Sequence, residues 1–476
     1  MPRLATRILP LACLAAALIP SAASASAGEF SSSEAKRALS DARQALSFEA
    51  SPSESREATL ALRDLAVALP ALEGAERRQA EGLLARPTDR DDREYFGPEA
   101  DDSPICNAQF CVHWTDKGEN APESDAFIQQ VIDSMALTYS VENIDLAWRV
   151  PKPDGDRGAR GGVGGEGQTD VYLTNLGRDL YGYAAPDPGQ QGSQRFAYLV
   201  LDNNYVGFPS PPLESMQVTV AHEYNHILQF GYDTLEDLWL FESSATWVEQ
   251  KVYPEINDYL NFLPPFAKFP NSPLTGRDKV YADAVWNHWL ESRYGPDVVR
   301  NTWALSLSVK PKHDAVASYD KAIKDLGGKS FSREFAEFVP VTAEWNSSPS
   351  FPDSALYPQV KRKGKIGAKT SKLTLDNTSY VLSTVKNPGD TVKLKVKAKN
   401  GVQSAIALVG REGPVDAGTV TIASQYMQKG GKATVTLAGA SAFERVTAVL
   451  VNADGRRDKR GNYKADGTKY KASLVG

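Results

Sequence analysis

The sequence predicts an α+β chain, in which a mixed domain of a small sheet and several helices is followed by a C-terminal all-β sandwich. Three observations predict it. Between about residues 98 and 345, short apolar runs such as Ala197-Tyr198-Leu199-Val200-Leu201 are interleaved with segments whose apolar residues recur at helical spacing. After about residue 370 the helical spacing disappears, and short alternating runs separated by turn residues replace it. With 476 residues, 42% of them hydrophobic, the chain is long enough for two or three domains with cores of their own.

The first residues read as a leader. Arg3 and Arg7 precede the apolar run Ile8 to Ile19, which is too short to span a bilayer comfortably, and small residues follow at Ala23-Ser24-Ala25 and Ala25-Ser26-Ala27. The reading is a signal peptide over 1–27, a secreted protein, and no membrane partner once the leader is removed. Cys13 would leave with it. Cys106 and Cys111 remain, and an even, closely spaced pair in an exported chain reads as a disulfide; a metal site built on them would have only His113 nearby. The formal net charge of −6 and the lack of a basic stripe argue against a nucleic-acid partner.

Residues 28–97 are rich in Ala, Leu, Glu and Arg. Ser32 or Ser33 can cap a helix through Ala35, Leu39, Ala42 and Leu46, and a second pattern runs from Glu57 through Leu69 to Pro70. Arg86 to Arg93 is a charged, proline-containing connector. This segment is either a pro-region that covers a site or assists folding, or an ordinary helical N-terminal domain. It contains no cysteine that could cap a metal.

In the mixed domain, 98–345, Phe110 to Trp114 reads as a strand and Ala126 to Tyr139 as a helix. Strands follow at Thr169 to Thr174 and Phe196 to Asp202. His113, alone in its strand, reads as structural. The glycine-dense stretch Asp154 to Gly167 lacks the Gly-Lys-Ser/Thr ending of a phosphate loop. It reads as a surface loop, with calcium binding through Asp154, Asp156 and Asp170 as the alternative.

The chemistry centres on His222-Glu223-Tyr224-Asn225-His226. Two histidines four apart on a helix share one face and can reach a single metal ion, and Glu223 stands beside that ion, where a carboxylate can take a proton from water. Apolar residues from Met216 to Leu228 make this a largely buried helix, which Gly231 should end. A second helical pattern, Leu238 to Val252, ends at Pro254. A catalytic zinc takes three protein ligands and keeps one position open. Glu242, a carboxylate among Trp239, Leu240, Phe241 and Ala245, is the expected third ligand; Asp233 or Asp237 in the intervening turn are alternatives expected to be exposed. Glu249, two turns beyond Glu242, is expected to orient a histidine N–H.

The strings His-Glu-Tyr-Asn-His and Trp-Leu-Phe-Glu-Ser-Ser-Ala-Thr-Trp-Val-Glu resemble the gluzincin clan, within it secreted bacterial metalloproteases related to hyicolysin-type peptidases. The resemblance covers roughly Phe110 to Gly295. It implies a zincin-like metallopeptidase domain with Glu242 as third ligand, although Phe-Glu-Ser stands here where many members have Asn-Glu-Gly. It also implies that the strand before the zinc helix, Ala197 to Asp202, is an edge along which a protein or peptide substrate lies; an edge covered by a loop is the alternative. The clan commonly places a Tyr or His to stabilise the oxyanion. Tyr281 and His288 are the candidates, seven apart on a predicted helix from Lys279 to Leu290; the resemblance favours Tyr281, while core packing is the default reading for both.

Residues 346–370 read as a linker. Beyond it, Leu373 to Leu375, Val392 to Val396, Ser404 to Val409, Val420 to Ile422, Ala433 to Leu437 and Val446 to Val451 read as strands of a β-sandwich, 371–476, with no histidine or cysteine: an accessory module. The expected activity is a secreted zinc-dependent endopeptidase with Glu223 as general base. The rival is a secreted binding protein, or an inactive peptidase-fold relative, with a structural zinc site closed by a fourth ligand such as Glu249 or Asp233.

Overall fold

Short, continuous apolar runs become the first sheet: β1 (Ile105–Cys106), β2 (Phe110–His113), β3 (Thr169–Thr174), β4 (Gly182–Pro186) and β5 (Ala197–Asp202), in the order β1-β2-β3-β5-β4. The computed structural model describes residues 30–47, 58–92, 95–96, 104–158, 167–177, 180–208 and 210–475; the predicted leader lies outside them. β2, β3 and β5 are parallel, and β1 and β4 are antiparallel to their neighbours. Strands buried on both faces have no polar side to show, which is why these runs hardly alternate. Cys106 and Cys111 form a disulfide between β1 and β2.

Period-two alternation sends the two sets of side chains to different partners. Val171, Leu173, Ala184, Leu199 and Leu201 join the core made with the following helices. Tyr172, Tyr183, Tyr198 and Val200 face the N-terminal helices α1 (Ser32–Ala45), α2 (Ala58–Ala68) and α3 (Gly74–Leu83). The first of these is capped by Ser31, reciprocally with Glu34, rather than by Ser32 or Ser33, because Ser31 is the last extended residue before the turn.

The other face of the sheet carries α4 (Asp125–Tyr139), α5 (Pro212–Asp233) and α6 (Leu238–Val252). Gly231 does not end α5. The helix continues to Asp233, since tertiary packing outweighs the roughly 1 kcal/mol that glycine costs inside a helix. After it come α7 (Pro264–Lys268), α8 (Ala284–Tyr294), α9 (Asp297–Leu305), α10 (Ala315–Asp325) and α11 (Phe331–Thr342). Residues 279–283, expected to be helical, form turns leading into α8.

The strand before α5 is not an edge. β5 pairs with β3 on one side and with β4 on the other, so β4 is the outer strand on this side. The expectation failed because Gly182–Pro186, mostly small residues, carries a weak strand signal.

Residues 346–363 do not behave as a free linker either. Phe351, Tyr357 and Val360 are buried around Trp345 in the helical core. The C-terminal part is a sandwich of β6 (Lys365–Ile366), β7 (Ser371–Leu375), β8 (Ser379–Val385), β9 (Thr391–Ala398), β10 (Ser404–Glu412), β11 (Thr419–Met427), β12 (Gly431–Ala438), β13 (Arg445–Asn452) and β14 (Thr468–Val475). Its sheets run β11-β10-β13-β8-β6 and β12-β9-β14-β7. Ile406, Leu408 and Leu450 point into the sandwich, while Ala405, Ala407, Val409 and Val451 belong to the helical core. The inner strands of the first of these sheets, β10, β13 and β8, are therefore buried on both faces and fix the sandwich to the helices. No helix among the described residues is long and apolar enough to cross a membrane.

Candidate metal centre

The antiparallel pair α5 and α6 is buried along nearly its whole length, so its polar side chains must find partners inside the protein. His222 and His226 rise one turn apart from α5, and Glu242 faces them from the first turns of α6. Their ligand atoms lie within 4.8 Å of one another. Glu242 Oε2 is 3.2 Å from His222 Nε2, and Oε1 is 3.6 Å from His226 Nε2.

The outer nitrogens of both imidazoles are occupied. His222 Nδ1 lies 2.6 Å from Glu249 Oε1, where sequence reasoning placed that carboxylate. His226 Nδ1 lies 2.7 Å from Gln229 Oε1. The Gln229 amide nitrogen faces the carbonyl of Phe241, which can only accept, as well as Asn225 Oδ1 and Ser244 Oγ. That fixes the amide orientation, so Gln229 Oε1 must accept from an N–H on His226 Nδ1. The Nε2 lone pair of His226 then points at Glu242, and neither His226 Nε2 nor Glu242 Oε1 has a hydrogen-bond partner among the described residues. Asn225 is held in turn by the buried Glu142.

Electrostatics follow the same lines. Burial holds His226 below the ordinary imidazole value, leaving the neutral form that a metal requires. Burial would raise Glu242, but His226, His222 and the hydroxyl of Tyr281 overcome it and hold the carboxyl low. Burial pushes Glu249 up to about 7 against the pull of His222. Burial likewise opposes charge on His222, yet its bonds to Glu242 and Glu249 raise it.

Donor chemistry and spacing together fit zinc. Ligands at about 2.0–2.1 Å around a tetrahedral ion stand about 3.3 Å apart; here one Glu242 oxygen lies 3.2 Å from His222 Nε2 and the other 3.6 Å from His226 Nε2. The orphaned Nε2 and Oε1 are the atoms such an ion would satisfy. The alternative ligands are elsewhere: Asp233 is buried, not exposed, against His313 Nδ1 at 2.7 Å, and Asp237 pairs with Arg457 at 2.6 Å.

Glu223, Tyr281, His222 and Glu249 line one small pocket of about 60 Å³, together with Tyr181 and Gly182 at the start of β4. Tyr281 lies over the His222 ring with centroids 5.8 Å apart. His288 is not brought to this place. It is 2% exposed, packed on Tyr259 at 5.4 Å and near Glu291, because α8 turns that face into the core.

Two partners of the site were missed from sequence. Gln229 is the first of them. Its position three residues after His226, inside an apolar helix, is the signal that could have found it. Thr59, on α2, donates to Glu223 Oε2 at 2.8 Å and accepts from the Ala184 amide of β4 at 3.0 Å. Nothing local in the sequence marks a threonine so far from the motif.

The residues considered for calcium have another occupant. Arg86 makes a bidentate pair with Asp187, both bonds 2.8 Å, reaches Asp154 at 2.6 Å and also bonds Asp170, whose other oxygen is 2.7 Å from His113 Nε2. A guanidinium stands where the alternative reading would have put the ion, and Asp156 is exposed. A second group, Cys111, His113 and Asp170, is close enough to hold a metal, but the Cys111 sulfur is in the disulfide.

No protein-family model matches the chain, and no curated protein does. Among solved structures it is similar to "Family 16 Carbohydrate Binding Module-2" at 14% identity with a TM-score of 0.13, over 23% of this chain and 73% of that one. At that score the likeness bears on neither fold nor ligand.

Proposed function

We propose that the chain is a secreted zinc-dependent metallopeptidase of the gluzincin type, acting on peptide bonds within protein substrates, with the first sheet and α5–α6 as a zincin-like domain. The observation that carries this reading is the convergence of two oriented imidazoles and Glu242, their ligand atoms within 4.8 Å of one another and two of them without partners among the described residues. Neither residue expected to close a structural site does so: Glu249 engages the outer nitrogen of His222, and Asp233 engages His313.

Zinc, when bound, supplies a Lewis acid and water with a pKa near 7. The chain's own residues do the rest. Glu249 and Gln229 keep the imidazoles in the tautomer that offers Nε2 inward. Glu223 takes a proton from water in the cavity and returns it to the leaving amine. Tyr281 donates to the developing oxyanion from beside His222. The backbone of β4 hydrogen-bonds an extended substrate without reading its side chains.

Zinc content and peptide hydrolysis in wild type and Glu223→Gln test this. The variant should keep its zinc and lose activity by about a hundredfold or more, the scale of a general base. Full activity in the variant would remove Glu223 from that role, and absence of zinc from the wild type would remove the reading.

A further inference from the structure

The pocket beside Glu223 is small, about 60 Å³, and open to solvent. α2 reaches the same carboxylate from outside that lining. Thr59 bridges the two groups that a substrate would need: its hydroxyl donates to Glu223 and accepts from the Ala184 amide of the outer strand. Both bonds are buried, and Leu60 beside it enters the core shared with α5 and α6. Resting on the peptidase reading, we infer that residues 58–92 are an inhibitor built into the chain, with Thr59 holding the general base and the substrate strand at once.

The same segment is fastened at points well away from Glu223. Arg63 donates to the carbonyls of Thr234 and Glu236 in the turn between α5 and α6, at 2.6 and 3.0 Å. Arg195 donates to the Ala66 carbonyl at 2.9 Å, and the Tyr198 hydroxyl to the Ala85 carbonyl at 2.8 Å. Arg86 closes the segment on Asp154, Asp170 and Asp187. α2 completes a core through Leu62, Leu65 and Ala66, and among these apolar residues it sets a threonine against the carboxylate proposed as base, on the strand proposed to take the substrate. Activation then requires α2 to leave β4, which uncovers the Ala184 amide and frees Glu223.

The test uses the full chain loaded with zinc, as wild type, Thr59→Glu, Thr59→Val and Thr59→Ser. Binding of a peptide hydroxamate, cleavage of a quenched peptide and exchange of the Ala184 amide hydrogen are measured on each. Thr59→Glu sets a carboxylate against Glu223; it should bind the hydroxamate and cleave the peptide about tenfold better or more, the worth of a hydrogen bond to a charged group. Its Ala184 amide should exchange faster. Thr59→Val loses both bonds at similar volume and should shift in the same direction by a smaller factor, which keeps the test decisive should Thr59→Glu not fold. Thr59→Ser keeps both bonds and should match wild type. Equal hydroxamate affinity and equal exchange across all four chains would overturn the inhibitor. Tighter binding and faster exchange with no cleavage in any chain would leave the inhibitor standing and remove the hydrolytic reading instead.

Discussion

The first sheet separates two buried polar centres that solve one electrostatic problem in opposite ways. On one face, Asp154, Asp170 and Asp187 surround the guanidinium of Arg86. On the other, Glu242 faces two imidazoles, and acceptor atoms remain without partners. A buried carboxylate needs a counter-charge. The first centre takes its cation from the chain, and of its carboxylate oxygens Asp154 Oδ1 alone lacks a partner among the described residues. The second has His222 beside it, its pKa raised, and still leaves His226 Nε2 and Glu242 Oε1 without partners there, where a cation from outside would fit. Acidic clusters as such therefore say little about metals; what distinguishes the two centres is which one the protein has already filled.

The largest effect should come from emptying the filled centre. Arg86→Met leaves three carboxylates buried without their counter-charge, and breaking such a pairing costs about 3–5 kcal/mol. Chemical denaturation of wild type and variant measures it. Burial already pushes Asp154 up to about 6 with the arginine in place. A loss below about 1 kcal/mol, the range of exposed pairs, would mean that water reaches the cage and that the contrast between the centres is smaller than drawn.

Metal titration sharpens the comparison from the other side. Zinc at a hundredfold excess over its Kd should stabilise the fold by about 2.7 kcal/mol, and Glu242→Gln should weaken that response. Calcium should raise the melting temperature of neither chain, because Arg86 occupies the only oxygen cage considered for it. Stabilisation of wild type by calcium would show that the guanidinium yields its place.

How much of this was legible in the sequence follows from the range of each interaction. His222, Glu223, His226 and Glu242 sit on two consecutive helices, and helical periodicity places such residues on one face. The sandwich was legible from its alternation, although β6, β8 and β14 escaped, β8 because both of its faces are buried. Strand order was not legible. Nothing in Ala197 to Asp202 tells an inner strand from an outer one when both faces are apolar, and β4 is too poor in branched residues to announce itself. Least visible were Thr59 and Arg86, whose partners lie 164 residues away for Thr59–Glu223 and 101 for Arg86–Asp187. A pattern read along the chain carries no signal at that separation.

The finest distinction between the centres is how each holds its imidazole, and Gln229 is the place to probe it. His113 leans on Asp170, a carboxylate already engaged by Arg86, whereas His226 is held by a neutral amide whose own hydrogens are committed to Asn225, Phe241 and Ser244. Gln229→Leu keeps the bulk and removes the acceptor, so nothing then selects the tautomer with Nε2 facing Glu242. Partners of this kind contribute about 10–100-fold to metal affinity, and competition with a chromogenic chelator would measure the loss. The effect should appear in zinc affinity, with hydrolysis by the fully loaded variant much less affected, because Gln229 touches neither Glu223 nor the cavity. Unchanged affinity would mean that Glu242 alone orients His226, and that the network from Glu142 through Asn225 to Gln229 serves the packing of α5 on α6 instead.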